Sequence, residues 1–149
     1  MTRKAVNVEY LTVTDFELIV DDLIALREVF TEDIPPFQTR YPGKLEGILE
    51  QVQGIYFGRE LYPSLAEKAA YLFYALIKNH PFLNGNKRIA VVALYDFLKR
   101  NATEVYIDEA TLFSDLSNMA ISTSESDAND YPKVLKRLRR QIGKLILTT

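Results

Sequence analysis

The segment His80-Pro-Phe-Leu-Asn-Gly-Asn-Lys-Arg88 lies between the two longest apolar stretches of the chain and determines how they are arranged. Pro81 disfavours the α conformation at the residue before it, so the preceding helix must end near Lys78-Asn79. Apolar residues then recur at helical spacing, which predicts a second helix from about Gly85 to Arg100. The segment is therefore a short polar loop between two packed helices.

The helix before this loop is predicted to be the central helix of the fold. Ser64 and Glu67 form a capping-box pattern at its start. The apolar residues between Ala66 and Ile77 cover almost every side of the helix, which is typical of a buried helix and not of an amphipathic surface helix.

The remaining segments also have mainly helical patterns. Thr14 and Glu17 form a capping-box pattern for a first helix, in which apolar residues recur as far as Phe30 and which ends before Ile34-Pro35-Pro36. Further predicted elements are a helix over Leu45–Val52, a short strand over Glu104–Ile107, a helix capped by Asp108 that passes through Met119, a polar connection over Ser122–Asp130 and a last helix over Pro132–Leu145. The segment Gly54–Tyr62 is predicted to be a loop or a small hairpin. The predicted fold class is all-α, a compact helical bundle with at most one minor β-hairpin.

Composition excludes several classes of function. A chain of 149 residues is predicted to form a single domain, residues 1–149, and the absence of cysteine excludes disulfides, thiolate nucleophiles and cysteine-based zinc sites. A single histidine excludes multi-histidine metal sites. The first ten residues lack the apolar core of a secretory signal, and no apolar run is long enough to cross a membrane, so we expect a cytoplasmic protein with no membrane contact.

Charge gives no general reason to expect binding to nucleic acid, because the formal net charge is −2. Basic residues cluster only between Lys133 and Lys144. We interpret this cluster as the solvated face of the last helix.

The loop itself has the residues of a phosphate site. A helix start presents unpaired backbone N–H groups and a partial positive charge, which together attract anions. Gly85 lets a phosphate approach the backbone, Asn86 adds side-chain hydrogen bonds, and Lys87 and Arg88 supply charge. His80 is suited to remove a proton from a hydroxyl near neutral pH and would be the general base for attack on phosphorus.

Phe82 is expected to turn inward and anchor the loop that holds the imidazole. Each of these residues also has an ordinary structural interpretation. A single histidine beside a helix end is commonly a capping or packing residue, and Gly-Asn-Lys-Arg is compatible with a simple loop. Spacing alone therefore leaves the function open.

The same nine residues resemble the signature of the Fic/Doc family, His-x-Phe-x-(Asp/Glu)-(Gly/Ala)-Asn-(Gly/Lys)-Arg. The segments Leu61–Ala70, Ile77–Asn79 and Ala93–Asn101 also resemble the branch of Doc-like (death-on-curing) toxins. The resemblance is clearest over residues 40–149. It implies a compact helical fold in which the residue matching His80 is the base that acts on a hydroxyl of a target protein.

Family members with glycine at the position of Lys87 transfer AMP from ATP, whereas Doc-like toxins have lysine there and transfer the terminal phosphate. The resemblance therefore implies a phosphotransferase that uses ATP, with elongation factor Tu as the expected target and arrested translation as the outcome. Val91 stands where many AMP-transferring members have arginine, which also favours phosphate transfer. The self-inhibitory motif of the family is absent, so a separate antitoxin protein is the expected inhibitor.

One position departs from the family pattern. Asn84 replaces the usual acidic residue that helps to bind Mg²⁺, and an amide offers this ion a neutral oxygen where a carboxylate would offer a charged one. The alternatives to phosphate transfer are therefore AMP transfer, or a catalytically impaired protein that binds nucleotide or a partner. The flap that aligns the target chain in this family corresponds to Gln38–Lys44 or Gly54–Tyr62.

Overall fold

The chain forms helices in the order that its apolar patterns predict. The computed structural model describes residues 7–26, 33–105 and 107–147. The helices in these ranges are α1 (Val13–Ala25), α2 (Lys44–Val52), α3 (Leu65–Lys78), α4 (Asn86–Asn101), α5 (Glu109–Glu125) and α6 (Tyr131–Leu145). The strands are β1 (Ile55–Tyr56), β2 (Arg59–Glu60), β3 (Glu104–Val105) and β4 (Ile146–Leu147). The prediction of a helical bundle is confirmed.

Helix α3 is the central helix, as its apolar residues predict. It packs against α2, α4, α5 and α6, and nearly all of its side chains are buried. Its one buried cation is Lys68, which is 1% exposed and donates hydrogen bonds to Glu60 Oε1 at 3.1 Å and to the carbonyl of Tyr62 at 2.6 Å. These bonds satisfy the buried charge and tie the segment around β2 to the core.

The first helix begins two residues earlier than predicted. Its cap is Thr12, whose hydroxyl accepts a hydrogen bond from Asp15 N at 3.2 Å while Asp15 Oδ2 accepts from Thr12 N at 2.8 Å. The prediction of a capping box at Thr14 and Glu17 was wrong because the sequence offers two overlapping patterns of the same type. The predicted continuation of this helix to Phe30 lies outside the described residues.

An ion-pair network fixes α1 against α4. Arg100 donates to Asp15 at 3.1 and 3.2 Å and to Asp96 at 3.0 Å. Burial by itself would raise the pKa of Asp15, but hydrogen bonds from Arg100 and Thr12 hold it below its usual value. The network places the apolar face of α1, including Phe16, on the side of the core that supports the loop after α3.

Two other boundaries differ from expectation. Ser64 caps α3 by accepting from Glu67 N at 3.1 Å, but Glu67 bonds the Ser64 hydroxyl and not its backbone, so the predicted capping box is only half formed. Helix α5 continues to Glu125, past the predicted end at Ser122, because Thr123 extends its buried face. Asp108 caps α5 as predicted, accepting from Thr111 N at 2.9 Å.

Two short antiparallel ladders accompany the helices. Strands β1 and β2 form the small hairpin that was one of two predictions for this segment, and its turn residues Phe57 and Gly58 both have positive φ, 52° and 76°. The Phe57 side chain is fully exposed. The predicted strand near Glu104 exists as β3, and its pairing with β4 at the end of the chain was not predicted.

The described helices include none that is both long enough and apolar enough to span a bilayer.

Candidate active site

The loop between α3 and α4 begins with a left-handed residue. Asn79 caps α3, and His80 follows with φ of 48°, the conformation that often ends a helix but is usually occupied by glycine or asparagine. A side chain in this region costs roughly 1–2 kcal/mol, because Cβ crowds the neighbouring carbonyl oxygen. Pro81 disfavours the right-handed helical conformation at His80, so α3 does not continue through this residue. The imidazole is exposed and does not pack into the interior.

The loop is closed internally by Asn86. Its side-chain oxygen accepts from Phe82 N at 3.0 Å, and its amide nitrogen donates to the Phe82 carbonyl at 2.9 Å. The same nitrogen lies 3.5 Å from His80 Nδ1, at the outer limit of a hydrogen bond, so this contact orients the ring without fixing its tautomer. Asn86 is 8% exposed. Its side chain therefore holds the loop, a role that the sequence did not predict, while a contact with phosphate stays a prediction.

Phe82 connects the loop to the core. The ring is 4% exposed and lies 6.4 Å from the ring of Phe16 and 6.3 Å from that of Phe37, measured between centroids. Residues from α1 and from the segment before α2 thus form the surface on which the loop rests. The strained backbone at His80 is compatible with a stable fold because these contacts fix the residues that follow it.

Two hydrogen bonds from the region where α2 begins hold the backbone carbonyls of the residues before and after His80. Lys44 Nζ donates to the carbonyl of Asn79 at 3.0 Å, and the backbone N–H of Tyr41 donates to the carbonyl of Pro81 at 3.0 Å. The Lys44 ammonium also lies over the Tyr41 ring, 4.9 Å from its centroid. Both lie in Gln38–Lys44, one of the two segments predicted as the flap, but their support of the loop was not predicted, since no local pattern relates residues 35 positions apart.

Helix α4 starts at an open N-terminus. Gly85 is its N-cap with φ of 77°, and the first helical hydrogen bond runs from Ile89 N to Gly85 O at 2.9 Å. The backbone N–H groups of Asn86 and Lys87 precede that bond and lie at the positive end of the helix dipole. A Cβ on Gly85 would collide with Cδ1 of Ile34, so glycine is required both by its φ and by this close approach.

The motif opens onto two different cavities. His80 lines one of about 540 Å³ together with Lys44, Tyr71 and Lys78. Lys87 and Arg88 line another, of about 420 Å³, between α1, α4 and α5. His80 and the two cations are therefore close along the chain but line two different depressions among the described residues.

Besides His80, the polar side chains that line this cavity are those of Lys44, Tyr71, Lys78 and Asn79. Burial, with smaller effects of Tyr131 and Tyr56, raises the pKa of Tyr71 to about 12. The Tyr71 hydroxyl therefore remains protonated and can donate a hydrogen bond. Lys78 donates to the carbonyl of Ser126 at 2.6 Å, which fixes its stem beside the cavity.

The loop does not provide the ligands of a magnesium site. Asn84 is exposed, and its side-chain oxygen accepts a hydrogen bond from Gly85 N at 2.8 Å. Across the described ranges, no three acidic or histidine side chains come together as a metal site. Since Mg²⁺ prefers carboxylate and phosphate oxygens, the protein alone does not fit the predicted ion at Asn84.

Comparisons with known proteins agree with the pattern of the loop. A sequence model described as the Fic/DOC family matches residues 13–98. A curated protein named Toxin Doc, from Mycolicibacterium smegmatis, is 34% identical over 86 residues, which cover 57% of this chain and 65% of that protein. The chain thus matches slightly less than two thirds of the length of this relative. No solved structure matches the chain.

Proposed function

The chain belongs to the Fic/DOC family, and we propose that it is a Doc-like toxin that transfers the terminal phosphate of ATP to a hydroxyl of a target protein. One observation carries the proposal most: an exposed imidazole lies beside a helix start that has no side-chain cap. His80 has no packing role that would explain its strained backbone. The name of the relative, Toxin Doc, supports a toxin as the biological role and a separate antitoxin as the inhibitor.

The two cavities suggest how two substrates meet. The phosphates of ATP would reach the start of α4 from the cavity lined by Lys87 and Arg88, where backbone N–H groups and two cations favour an anion. The target chain would approach His80 from the other cavity. The site separates nucleotide and protein and brings their reacting atoms together at the loop.

His80 performs the proton transfer in this reaction. The target hydroxyl gives its proton to the imidazole while its oxygen forms a bond to the terminal phosphorus of ATP. The bond between that phosphorus and the bridging oxygen breaks, and ADP leaves with the electron pair. Lys87, Arg88 and the helix start stabilise the charge on the transferred phosphoryl group. The imidazolium then releases its proton to solvent.

The hairpin is the better of the two candidates for the flap that aligns the target. In the segment 38–44, Tyr41 and Lys44 are used to hold the catalytic loop. The hairpin instead presents Ile55, Tyr56 and Phe57 to solvent. Its short strands have unpaired edges, which suit pairing with an extended segment of the target.

Elongation factor Tu is the proposed target, and arrested translation in the cytoplasm is the proposed outcome. Both proposals rest on the resemblance to Doc-like toxins. The enzyme and purified elongation factor Tu, incubated with ATP labelled at the γ-phosphate, should give labelled target and an equal amount of ADP. Formation of ADP without any labelled protein would contradict the transfer reaction.

AMP transfer is the alternative reaction. It would release pyrophosphate in place of ADP and would leave AMP attached to the target hydroxyl. Lys87 and Val91 favour phosphate transfer, because AMP-transferring members usually have glycine and arginine at these positions. The products released from unlabelled ATP therefore distinguish the two reactions.

We expect Lys44→Met to lower the rate of phosphate transfer about 5- to 10-fold and to leave the KM for ATP unchanged. The reason is that Lys44 does not line the cavity proposed for ATP but holds the carbonyl that precedes His80, so its loss misplaces the base. Steady-state kinetics with purified target tests this. Lys44→Arg keeps a cation at the same position and should recover most of the rate. A rise in the KM for ATP with an unchanged kcat would contradict a positioning role.

A protein that binds nucleotide without turnover is the third alternative, and Asn84 motivates it. Asn84→Asp retains an acceptor for Gly85 N and adds the missing carboxylate, so we expect the Mg²⁺ concentration needed for half-maximal nucleotide binding to fall about tenfold. Titration of nucleotide binding against Mg²⁺ measures this. Asn84→Ser, which adds no charge, is the control. Equal Mg²⁺ dependence of the wild type and Asn84→Asp would show that position 84 does not face the metal.

A further inference from the structure

A groove of about 630 Å³ lies between α6 and the start of α3, and the proposed reaction does not use it. Leu61 and Tyr62 line it from the segment before α3. Leu135, Lys136, Arg139 and Arg140 line it from α6. Glu67 and Ala70 of α3 complete the lining. One wall is thus apolar and aromatic with a single carboxylate, and the other is mainly cationic.

Helix α6 has an unusual charge for this chain. It carries six of the 18 lysines and arginines and none of the 20 acidic residues, so the rest of the chain has a net charge of −8. Like charges three and four residues apart on a helix repel each other. Stabilisation of the helix therefore does not explain why α6 carries so many basic residues.

The fold neutralises little of this charge beside the groove. Arg139 is paired with Glu67, but the two lie 3.9 Å apart and the arginine side chain is 60% exposed. Lys136 and Arg140 are exposed, and among the residues that the structure describes neither has an ion-pair partner. Two cations at the groove are thus available to an anionic ligand.

The apolar wall is packed against α3 and partly exposed. Tyr62 stacks on Tyr71 with 4.7 Å between ring centroids, and Leu61 is 37% exposed. Burial raises the pKa of the Tyr62 hydroxyl, which stays neutral. Leu135 is half-buried on the opposite side. An apolar side chain that entered the groove would meet preformed contacts.

We infer that this groove is a docking site for an acidic segment of a partner protein. Carboxylates of the segment pair with Lys136 and Arg140, and an apolar side chain inserts between Leu61 and Leu135. A short peptide fits better than a nucleic acid, because the negative charge of the rest of the chain repels a long polyanion wherever it extends beyond α6. That repulsion acts over about 8 Å at physiological ionic strength.

The inference does not depend on phosphate transfer, and binding measurements test it separately. The probe is a short fluorescein-labelled peptide of Glu and Asp that contains one Leu and one Phe, titrated with the full-length protein and followed by anisotropy. The double variant Lys136→Gln/Arg140→Gln should weaken binding about tenfold. The matched variant Lys133→Gln/Lys144→Gln removes the same charge from exposed positions of α6 outside the groove and should weaken it less than about twofold.

Leu61→Ser tests the apolar half of the groove. It should weaken binding of this peptide and leave binding of a purely acidic peptide unchanged. Equal weakening by the two double variants would show that only the overall charge of α6 matters and would overturn the site. No binding of either peptide, or tighter binding of a single-stranded RNA probe than of the peptide, would also overturn it.

Discussion

Replacement of His80 by alanine is expected to lower the rate of phosphate transfer about 10³-fold, which is the typical contribution of a general base. No other residue lining its cavity can replace it, because Lys44 and Lys78 are cations that donate to carbonyl groups and Tyr71 has its pKa raised to about 12. Transfer of label from γ-labelled ATP to purified target, followed over time, measures the loss.

The stability of the same variants separates loss of the base from loss of the fold. His80→Gly should lower activity as much as His80→Ala, but it should raise the free energy of unfolding by up to about 1 kcal/mol, since glycine adopts a positive φ without a Cβ penalty. Urea denaturation provides the measurement. If His80→Gly proved less stable than His80→Ala, the left-handed backbone at this position would be wrong. If His80→Ala transferred phosphate at the wild-type rate, His80 would not be the base.

Replacement of Phe82 by alanine is expected to lower the free energy of unfolding by about 3–5 kcal/mol, the usual range for a buried phenylalanine. The ring is 4% exposed and fills the space between Phe16 and Phe37, so its removal leaves a cavity directly beneath the loop. Urea denaturation of the variant measures this loss.

The milder variant Phe82→Leu tests whether this packing also serves catalysis. Its matched control is Phe97→Leu, which changes a fully buried ring of α4. Phe97 lies about 16 Å along this helix from its first residue, Asn86. Both should lose similar stability, about 1–2 kcal/mol. Only Phe82→Leu should lower the transfer rate per folded molecule. Equal activity of the two folded variants would mean that the packing of Phe82 does not control the position of His80.

The fold was largely predictable because each helix has local signals. Ser64 and Asp108 were identified as caps, and the apolar residues of α3 identified it as the buried helix. The errors occurred where two patterns compete. Thr12 and Thr14 each precede an acidic residue by three positions, and the choice between them also involves Arg100, which lies 85 residues from Asp15.

The motif predicts a set of site residues but not their arrangement. Its prediction that His80, Gly85, Lys87 and Arg88 form the site stays a prediction, and it gave no indication that His80 lines a different cavity from the two cations. The structural role of Asn86 was not predicted, because an asparagine near a helix start can bind a ligand, the backbone of its own loop, or both. The three-dimensional contacts with Phe82 show the bonds to the loop.

The support of the loop could not be predicted at all. Lys44 and Tyr41 reach the peptide groups around His80 from the region where α2 begins, and Ile34 reaches Gly85 from before that region. Such contacts are set by how helices pack and not by any spacing along the chain. They explain how a strained residue is kept in one conformation.

The position of the label that reaches the target tests the central proposal most directly. Wild-type protein and a bacterial lysate should be incubated in parallel with ATP labelled at the γ-phosphate and with ATP labelled at the α-phosphate. Retention of the γ-label alone on one protein, lost in His80→Ala, is the predicted result. Retention of the α-label would show AMP transfer in place of phosphate transfer, and the absence of both labels from every protein would contradict an enzymatic role for the site.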